Sequence, residues 1–357
     1  MGERYDVVVG PIAHGGHCVA RLEASEGPGR VVFVRHALPG ERVVVAITEG
    51  TDGDRFWRGD AVEVVAPSPD RVEPPCPYAG PDRCGGCDFQ HVALTRQRSL
   101  KADVVREQLA RLAGLDVEVT VEPVPGDVAG LRWRTRQRYV ELPGGRRGMR
   151  KHRSHDVVEV DDCLIAGAPA DHVVRGVAFE VEDEGFWQVH PGAPEVLVDA
   201  VLDLLAPRPG ESVLDLYAGV GLFARFLGDA VGDPARVTIV EGDQRACGHA
   251  EVNVPGARVL PGDVAAVLSG VPAAPVDLVD LVVLDPPREG ARRTVVEAVA
   301  ARRPRAVAYV ACDPAALARD VAIFAESGYG LMRLRAFDLF PMTHHVECVA
   351  LLEPTPR

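Results

Sequence analysis

Long apolar runs are missing from this chain of 357 residues. Nothing approaches the roughly 18 to 20 apolar residues that a bilayer-crossing helix needs. The valine-rich stretch from Val276 to Leu284 is broken by Asp277 and Asp280. A membrane-spanning helix is excluded. Met1-Gly-Glu-Arg-Tyr-Asp-Val has an acid where a signal peptide needs basic charge, and no apolar segment with a cleavage site follows. A cytoplasmic protein is expected. Eight cysteines are too few for a disulfide scaffold, and in a reducing compartment clustered cysteines more often ligate metals or catalyse. Net positive charge is also lacking: the formal charge is -13. That argues against a protein coating nucleic acid over its whole surface, which needs widespread positive potential.

The sequence is 47% apolar, enough for real cores, and its length leaves room for two or three domains. Short β-rich runs at Asp6 to Val9, Cys18 to Leu22, Val31 to Val34, Arg42 to Ile47 and Ala61 to Val65 alternate with turn signals, among them Gly27-Pro28-Gly29. Five short strands so spaced predict a small β-barrel. Pro67-Ser-Pro-Asp reads as a boundary, and Leu94 to Leu112 as an amphipathic helix. Arg132, Arg134, Arg136 and Arg138 alternate with Trp133, Thr135, Gln137 and Tyr139, which at period two predicts a strand with one arginine face. The stretch continues through Arg146, Arg147, Arg150, Lys151 and Arg153 against a single acid of its own, Glu141. After about residue 186, apolar strands separated by helix-length segments imply a parallel sheet covered on both faces. That half is read as doubly wound α/β.

Ser212 to Ala224 runs a strand into a glycine loop and then a helix. Gly219 and Gly221 let the backbone approach a ligand closely; the pattern Gly219-x-Gly221-x-x-Ala224 also fits a dinucleotide fingerprint. Asp215 at the strand end can meet a cationic amino group, and Glu241, ending the next strand, can accept both hydroxyls of a ribose. That pairing resembles the class I methyltransferases that bind S-adenosylmethionine. Asp285-Pro-Pro-Arg288 ends the fourth strand of this half, on the side where open α/β sheets bind ligands. Asp-Pro-Pro also occurs in amino-group methyltransferases, usually with an aromatic next. Cys312 ends the fifth strand, where its thiolate can act as a nucleophile. His344, His345 and Glu347 offer acid or base groups.

Taken in order, Phe186-Trp-Gln188, the Asp215-Leu-Tyr-Ala-Gly-Val-Gly loop, Glu241, Asp285-Pro-Pro-Arg, Tyr309-Val-Ala-Cys312-Asp-Pro and Asp338-Leu-Phe-Pro with His-Val-Glu347 resemble the RNA uracil-C5 methyltransferases. The likeness spans nearly the whole chain. It implies an α/β class I (Rossmann-like) methyltransferase domain, an N-terminal OB-like TRAM β-barrel and a small β-rich central iron-sulfur domain. The expected boundaries are 1–66 for TRAM, 67–90 with 118–185 for the central domain, and 91–117 with 186–357 for the catalytic domain. By the same resemblance Cys312 adds to carbon 6 of uracil and Glu347 removes the carbon 5 proton. Gln188, Tyr217, Gly219, Gly221, Glu241, Asp263 and Asp285 hold S-adenosylmethionine or line the site. Phe186 stacks on a flipped base, and Arg134 and Arg136 meet the RNA backbone.

Cys76, Cys84 and Cys87 form the first cysteine cluster, with Cys163 a downstream fourth. Spacing alone allows zinc or iron. The cluster-bearing branch of the family, which this sequence resembles, binds 4Fe-4S through three close cysteines and one distant one. Cys18, Cys247 and Cys348 read as filler or surface residues. The expected partner is RNA, ribosomal ahead of transfer RNA, and a monomer is the simpler expectation. An amino-group methyltransferase independent of Cys312, or an inactive RNA-binding iron-sulfur protein, are the competing readings.

Overall fold

The computed structural model describes residues 2–22, 29–127, 129–270 and 278–355. The turn expected at Gly27-Pro28-Gly29 and the first residues of the Val276 to Leu284 stretch lie outside the described residues. Two compact units result: Met1–Val104 with Asp127–Ala168 and Phe340–His345, and Val105–Gly126 with Pro169–Leu339 and Val346–Arg357.

The first unit opens with a six-stranded sheet of β1 (Arg4–Val8), β2 (Ile12–Ala13), β3 (His17–Arg21), β4 (Val31–Arg35), β5 (Arg42–Glu49) and β6 (Phe56–Ala66), in the order β1-β5-β6-β4-β3-β2. Alternation decides its core. Val32, Val34, Val43, Val45 and Ile47 point inward at every second position, as a half-buried strand requires. Glu41, 1% exposed, stands at the foot of β5 and accepts from Leu38 N, Ser68 N and the Arg71 guanidinium, which ties the segment after the sheet back to it. Helix α1 (Leu94–Gln108) follows; from Val105 on it belongs to the second unit, where it ends in a π-turn, Leu109–Ala113, closed by Gly114 in the left-handed region. A three-stranded antiparallel sheet of β7 (Val140–Leu142), β8 (Arg146–Arg150) and β9 (Val157–Glu159) completes this unit's regular structure.

The expected arginine strand does not form. Arg132 has φ of 59°, and Arg134 makes only an isolated bridge to Ala166. A ladder needs a partner strand, and here the partner is the irregular segment Leu164–Gly167, which takes Arg132 N and Arg134 N and returns Gly167 N to Arg134 O. Trp133 is buried against Phe340, within the same unit. The arginines are not one free face either: Arg132 pairs with Asp162, Arg146 with Glu159, Lys151 with Asp82 and Arg153 with Glu49.

The second unit is built on β10 (Val213–Leu216), β11 (Val237–Glu241), β12 (Arg258–Pro261), β13 (Leu281–Leu284), β14 (Ala306–Ala311), β15 (Tyr329–Phe337) and β16 (Glu347–Pro354), with the short strand Val121–Glu122 on its edge. Counted from Val213 the order is third, second, first, fourth, fifth, seventh, sixth. The first five are parallel and β16 runs antiparallel to β14. Every residue of β10, β13 and β14 is buried. Such unbroken burial needs cover on both faces, and α2 (Ala193–Leu205), α3 (Leu222–Val231), α4 (Gln244–Asn253), α5 (Val264–Leu268), α6 (Arg292–Ala301) and α7 (Pro314–Glu326) supply the intervening helices. Between β10 and β13 the chain order reverses, and there an open α/β sheet has its ligand crevice. No helix among the described residues is long and apolar enough to cross a membrane.

Candidate active site

The sheet registers bring the expected residues of the second unit to one edge. Leu216 pairs with Val240 and with Leu284, so the next residues along, Tyr217, Glu241 and Asp285, stand side by side at the carboxyl ends of β10, β11 and β13. Leu284 pairs in turn with Tyr309 of β14, whose end is followed by Cys312. Ala311 pairs with Cys348 in the antiparallel ladder. Cys312 directly follows that last pair on one strand and Glu347 directly precedes it on the other, and the charge of Glu347 acts on the Cys312 thiol.

The glycine loop needs its glycines for different reasons. Gly221 has φ of 86°, and a Cβ there would stand 2.8 Å from Val254 Cγ2, so a side chain is excluded both by conformation and by space. A Cβ at Gly219, φ 54°, would meet nothing within 4 Å, so the space beside its Cα is open. Glu241 braces the loop by accepting Gly219 N at 2.8 Å and Asp243 N at 2.8 Å. Asp215 is fully buried; one carboxylate oxygen accepts Ala224 N at 2.8 Å and the other has no hydrogen-bond partner among the described residues. Asp263 caps α5 through Ala266 N. Tyr217 holds a left-handed φ of 59°.

Electrostatically the crevice is acidic. Burial, together with the charges of Asp285 and Glu241, raises Asp215 well above the ordinary carboxyl range. Burial pushes Asp285 up to about 7. Glu347, 4% exposed, is raised by burial and by Asp285, with Arg288 opposing. Burial and the charges of Glu347 and Asp285 push the Cys312 thiol up to about 12, again against Arg288. Four carboxyls and a protonated thiol around one crevice suit a cationic ligand.

Two flanking residues of the expected set differ in exposure. Phe186 is 71% exposed, so it is not core, and Gln188 is half-buried. Trp187 between them is buried against His172 and Phe179 and anchors the segment. His344 belongs to the first unit, where its Nδ1 lies 2.6 Å from Asp88 Oδ2. That carboxylate engages the ring and fixes its orientation.

Residue patterning missed several buried groups. Asn253 clamps Glu180 through both its N–H and its C=O and also donates to Val220 O in the glycine loop. Asp320 of α7 and Tyr309 of β14 hydrogen-bond each other and the turn after Arg288. No motif marks these residues, though an aspartate inside the apolar face Leu317, Val321, Phe324 is a sign of a buried role.

In the first unit Cys76, Cys84, Cys87 and Cys163 line one cavity of about 170 Å³, with Arg134, Gln137 and Met149 in its wall. All four are free thiols. Gly86 N and Gln90 Nε2 donate to Cys84 Sγ and Cys87 Sγ, each at 3.4 Å. Among the described residues no three His, Cys, Asp or Glu side chains converge on a ready metal position. Arg134 and Arg136 are half-buried here, Arg134 donating to Arg136 O at 3.1 Å.

Fold and site together define an α/β methyltransferase. Residues 1–62 match the TRAM domain family, and residues 276–355 match the tRNA (Uracil-5-)-methyltransferase family. A Streptomyces avermitilis protein described as an uncharacterized RNA methyltransferase is 45% identical, with all of both chains covered. The 23S rRNA (uracil(1939)-C(5))-methyltransferase RlmD of Pseudomonas putida is 28% identical over 99% of this chain and 94% of its own. In fold the chain is similar to the tRNA (uracil-54, C5)-methyltransferase of Pyrococcus abyssi, solved with S-adenosyl-L-homocysteine. The TM-score is 0.72 at 20% identity, covering 98% of this chain and 100% of that one. This chain belongs to a TRAM-containing family of RNA methyltransferases.

Proposed function

We propose that this enzyme transfers the methyl group of S-adenosylmethionine to carbon 5 of a uridine in ribosomal RNA, with Cys312 as nucleophile and Glu347 as base. The observation that carries the reading is that Cys312 directly follows β14 and Glu347 opens β16, two strands whose ladder ends on the pair Ala311 and Cys348, with Asp285 directly after the neighbouring β13. S-adenosylmethionine, when bound, supplies an electrophilic methyl on a cationic sulfur. The acidic crevice suits that cation, and the unpartnered oxygen of Asp215 suits an ammonium group. A dinucleotide fits less well: its diphosphate would meet carboxyls, and Gly219 N is already taken by Glu241. Gln188, Tyr217, Gly219, Gly221, Glu241, Asp263 and Asp285 hold or line the cofactor site in this reading. Phe186 stacks on the extruded base and Arg134 and Arg136 face the RNA backbone.

Carbon 5 of uracil is too weak a nucleophile to attack a sulfonium unaided. The Cys312 thiolate adds to carbon 6, and the electron pair of the 5,6 double bond moves into an enolate ending on oxygen 4. Carbon 5 then takes the methyl group, and the sulfonium becomes a neutral thioether. Glu347 accepts the carbon 5 proton, the double bond re-forms, and the carbon 6–sulfur bond breaks to return the thiolate. A positive charge entering beside Asp285 and Glu347 offsets their effect on the thiol, so Cys312 ionises when the methyl donor is in place.

The test is methyl transfer from labelled S-adenosylmethionine to total RNA of cells lacking the protein, comparing wild type with Cys312→Ala. The expected result is labelled 5-methyluridine in ribosomal RNA that disappears in the variant. Label surviving Cys312→Ala would favour an amino-group methyltransferase acting at Asp285-Pro-Pro, and label confined to transfer RNA would overturn the choice of substrate.

In this reading Cys76, Cys84, Cys87 and Cys163 would hold a 4Fe-4S cluster; they line one cavity. Thiolates of this kind hold either zinc or an iron-sulfur cluster, and the cavity they line measures about 170 Å³. Donors to Cys84 and Cys87 are the kind that stabilise cluster sulfurs. Uracil methylation by this route moves no electrons, so the cluster's part is structural. Protein purified without oxygen is expected to contain iron and labile sulfide, both lost in Cys87→Ser; zinc without sulfide would sink the idea.

A further inference from the structure

Helix α6 begins without a cap of its own. Ala291, its N-cap residue, offers no side-chain acceptor, and the first amides of a helix need one. The acceptor comes from α7 instead: Asp320 Oδ2 takes Ala291 N at 2.7 Å and Arg292 N at 3.2 Å. The same oxygen accepts the Tyr309 hydroxyl at 2.6 Å, and that hydroxyl in turn receives Ala291 N at 3.1 Å. Asp320 is 3% exposed and Tyr309 fully buried. Gly290, φ 84°, packs so closely that a Cβ would stand 2.6 Å from Asp320 Oδ2, and its N–H closes the turn onto Pro287 O at 2.8 Å. This turn is the continuation of Asp285-Pro286-Pro287-Arg288. Arg288 is exposed and makes no hydrogen bond or ion pair among the described residues. Its charge nevertheless acts on both Cys312 and Glu347.

We infer that Asp320, with Tyr309, is a positioning residue of the active site: by capping α6 from α7 it fixes the turn that presents Arg288 to Cys312 and Glu347. Arg288 is then the cation that favours the Cys312 thiolate. The inference rests on the reading of Cys312 as the nucleophile. That reading stands or falls on methyl transfer by Cys312→Ala, whereas the role of Asp320 is tested without methyl transfer.

The sign of the effect separates positioning from charge. If Asp320 acted through its own negative charge, removing it would ease ionisation of the thiol. If it acts by holding Arg288, removing it makes ionisation harder. The experiment follows alkylation of Cys312 by iodoacetamide against pH, read peptide by peptide in the full-length protein. Arg288→Ala and Asp320→Ala are expected to slow Cys312 at pH 8 by ~3- to 10-fold, the equivalent of about half to one pKa unit. Asp320→Asn is expected to react close to wild type, because the two lone pairs of its amide oxygen can keep the two shortest contacts, to Ala291 N and the Tyr309 hydroxyl. Buried Cys247 and Cys348 report folding in the same digest. Unchanged or faster alkylation of Cys312 in Asp320→Ala, with those two protected, would overturn the proposal. Should that variant expose them, Tyr309→Phe decides: slower Cys312 with Cys247 and Cys348 protected supports positioning, and an unchanged rate overturns it.

Discussion

Glu41 and Glu347 are both buried carboxyls, and their surroundings send them in opposite directions. At Glu41 burial works to raise the pKa, but Arg71 and the amides of Ser68 and Leu38 outweigh it and the net shift is downward. At Glu347 burial and the neighbouring Asp285 act together and the shift is upward. A carboxyl raised in the folded chain binds its proton more tightly there than when unfolded. Its contribution to stability is therefore present below the unfolded value of about 4 and is lost as pH rises through the folded value. For Asp285 that loss is complete once pH passes about 7. Glu347→Gln removes one of the two interacting acids. The variant is expected to be more stable than wild type at pH 8 by about 1 kcal/mol, with a shallower decline between pH 4 and pH 8 in denaturant unfolding. In the proposed cycle it also forms the covalent RNA adduct and fails to resolve it, which a denaturing gel displays as a shifted band. Equal stability at pH 8 would show that the two carboxyls do not repel each other in the folded chain.

Among elements, the strands that position the site could be read from composition because burial on both faces leaves a continuous apolar run. Val237–Glu241 and Ala306–Ala311 are found where they were expected, and Asp285 and Cys312 directly follow strands as expected. Polar groups at strand ends are legible for a physical reason: a polar residue closing an apolar run marks where the sheet meets its crevice. The arginine segment failed for the complementary reason. Period-two alternation describes a strand only where a second backbone pairs along it, and Arg132 to Tyr139 has one bridge and a left-handed residue instead. The two-residue strand Ile12–Ala13 is too short to carry a pattern at all. Asp320 and Asn253 could not be read because what they contact lies 29 and 73 residues away, as for Ala291 and Glu180. A borrowed helix cap leaves no local signature beyond a polar residue on an apolar helix face.

At the scale of the whole molecule, a chain of formal charge -13 must bind a polyanion. The nine cations of the stretch from Arg132 to Arg153 looked like a solution in one dimension. In the fold, Asp162, Glu159, Asp82 and Glu49 pair four of them. Arg147 lies over the Tyr139 ring and donates to Asp161 O, leaving Arg138, Arg147 and Arg150 exposed without a carboxylate partner among the described residues. Affinity for single-stranded RNA falls with salt by a slope of about -0.7 for each phosphate neutralised. Three exposed cations, with Arg134 and Arg136 adding to them where they reach the RNA, give a slope between about -2 and -4. The expected behaviour is thus a shallow dependence of RNA affinity on salt, measured by titration across a range of potassium chloride concentrations. Arg138→Glu should weaken binding and flatten the slope by about 1. A slope steeper than about -6 would mean that the four ion pairs open and hand their arginines and lysine to the RNA, making them an electrostatic latch released by the substrate. In that case Asp162→Asn would tighten binding, and in the closed arrangement it would leave binding unchanged.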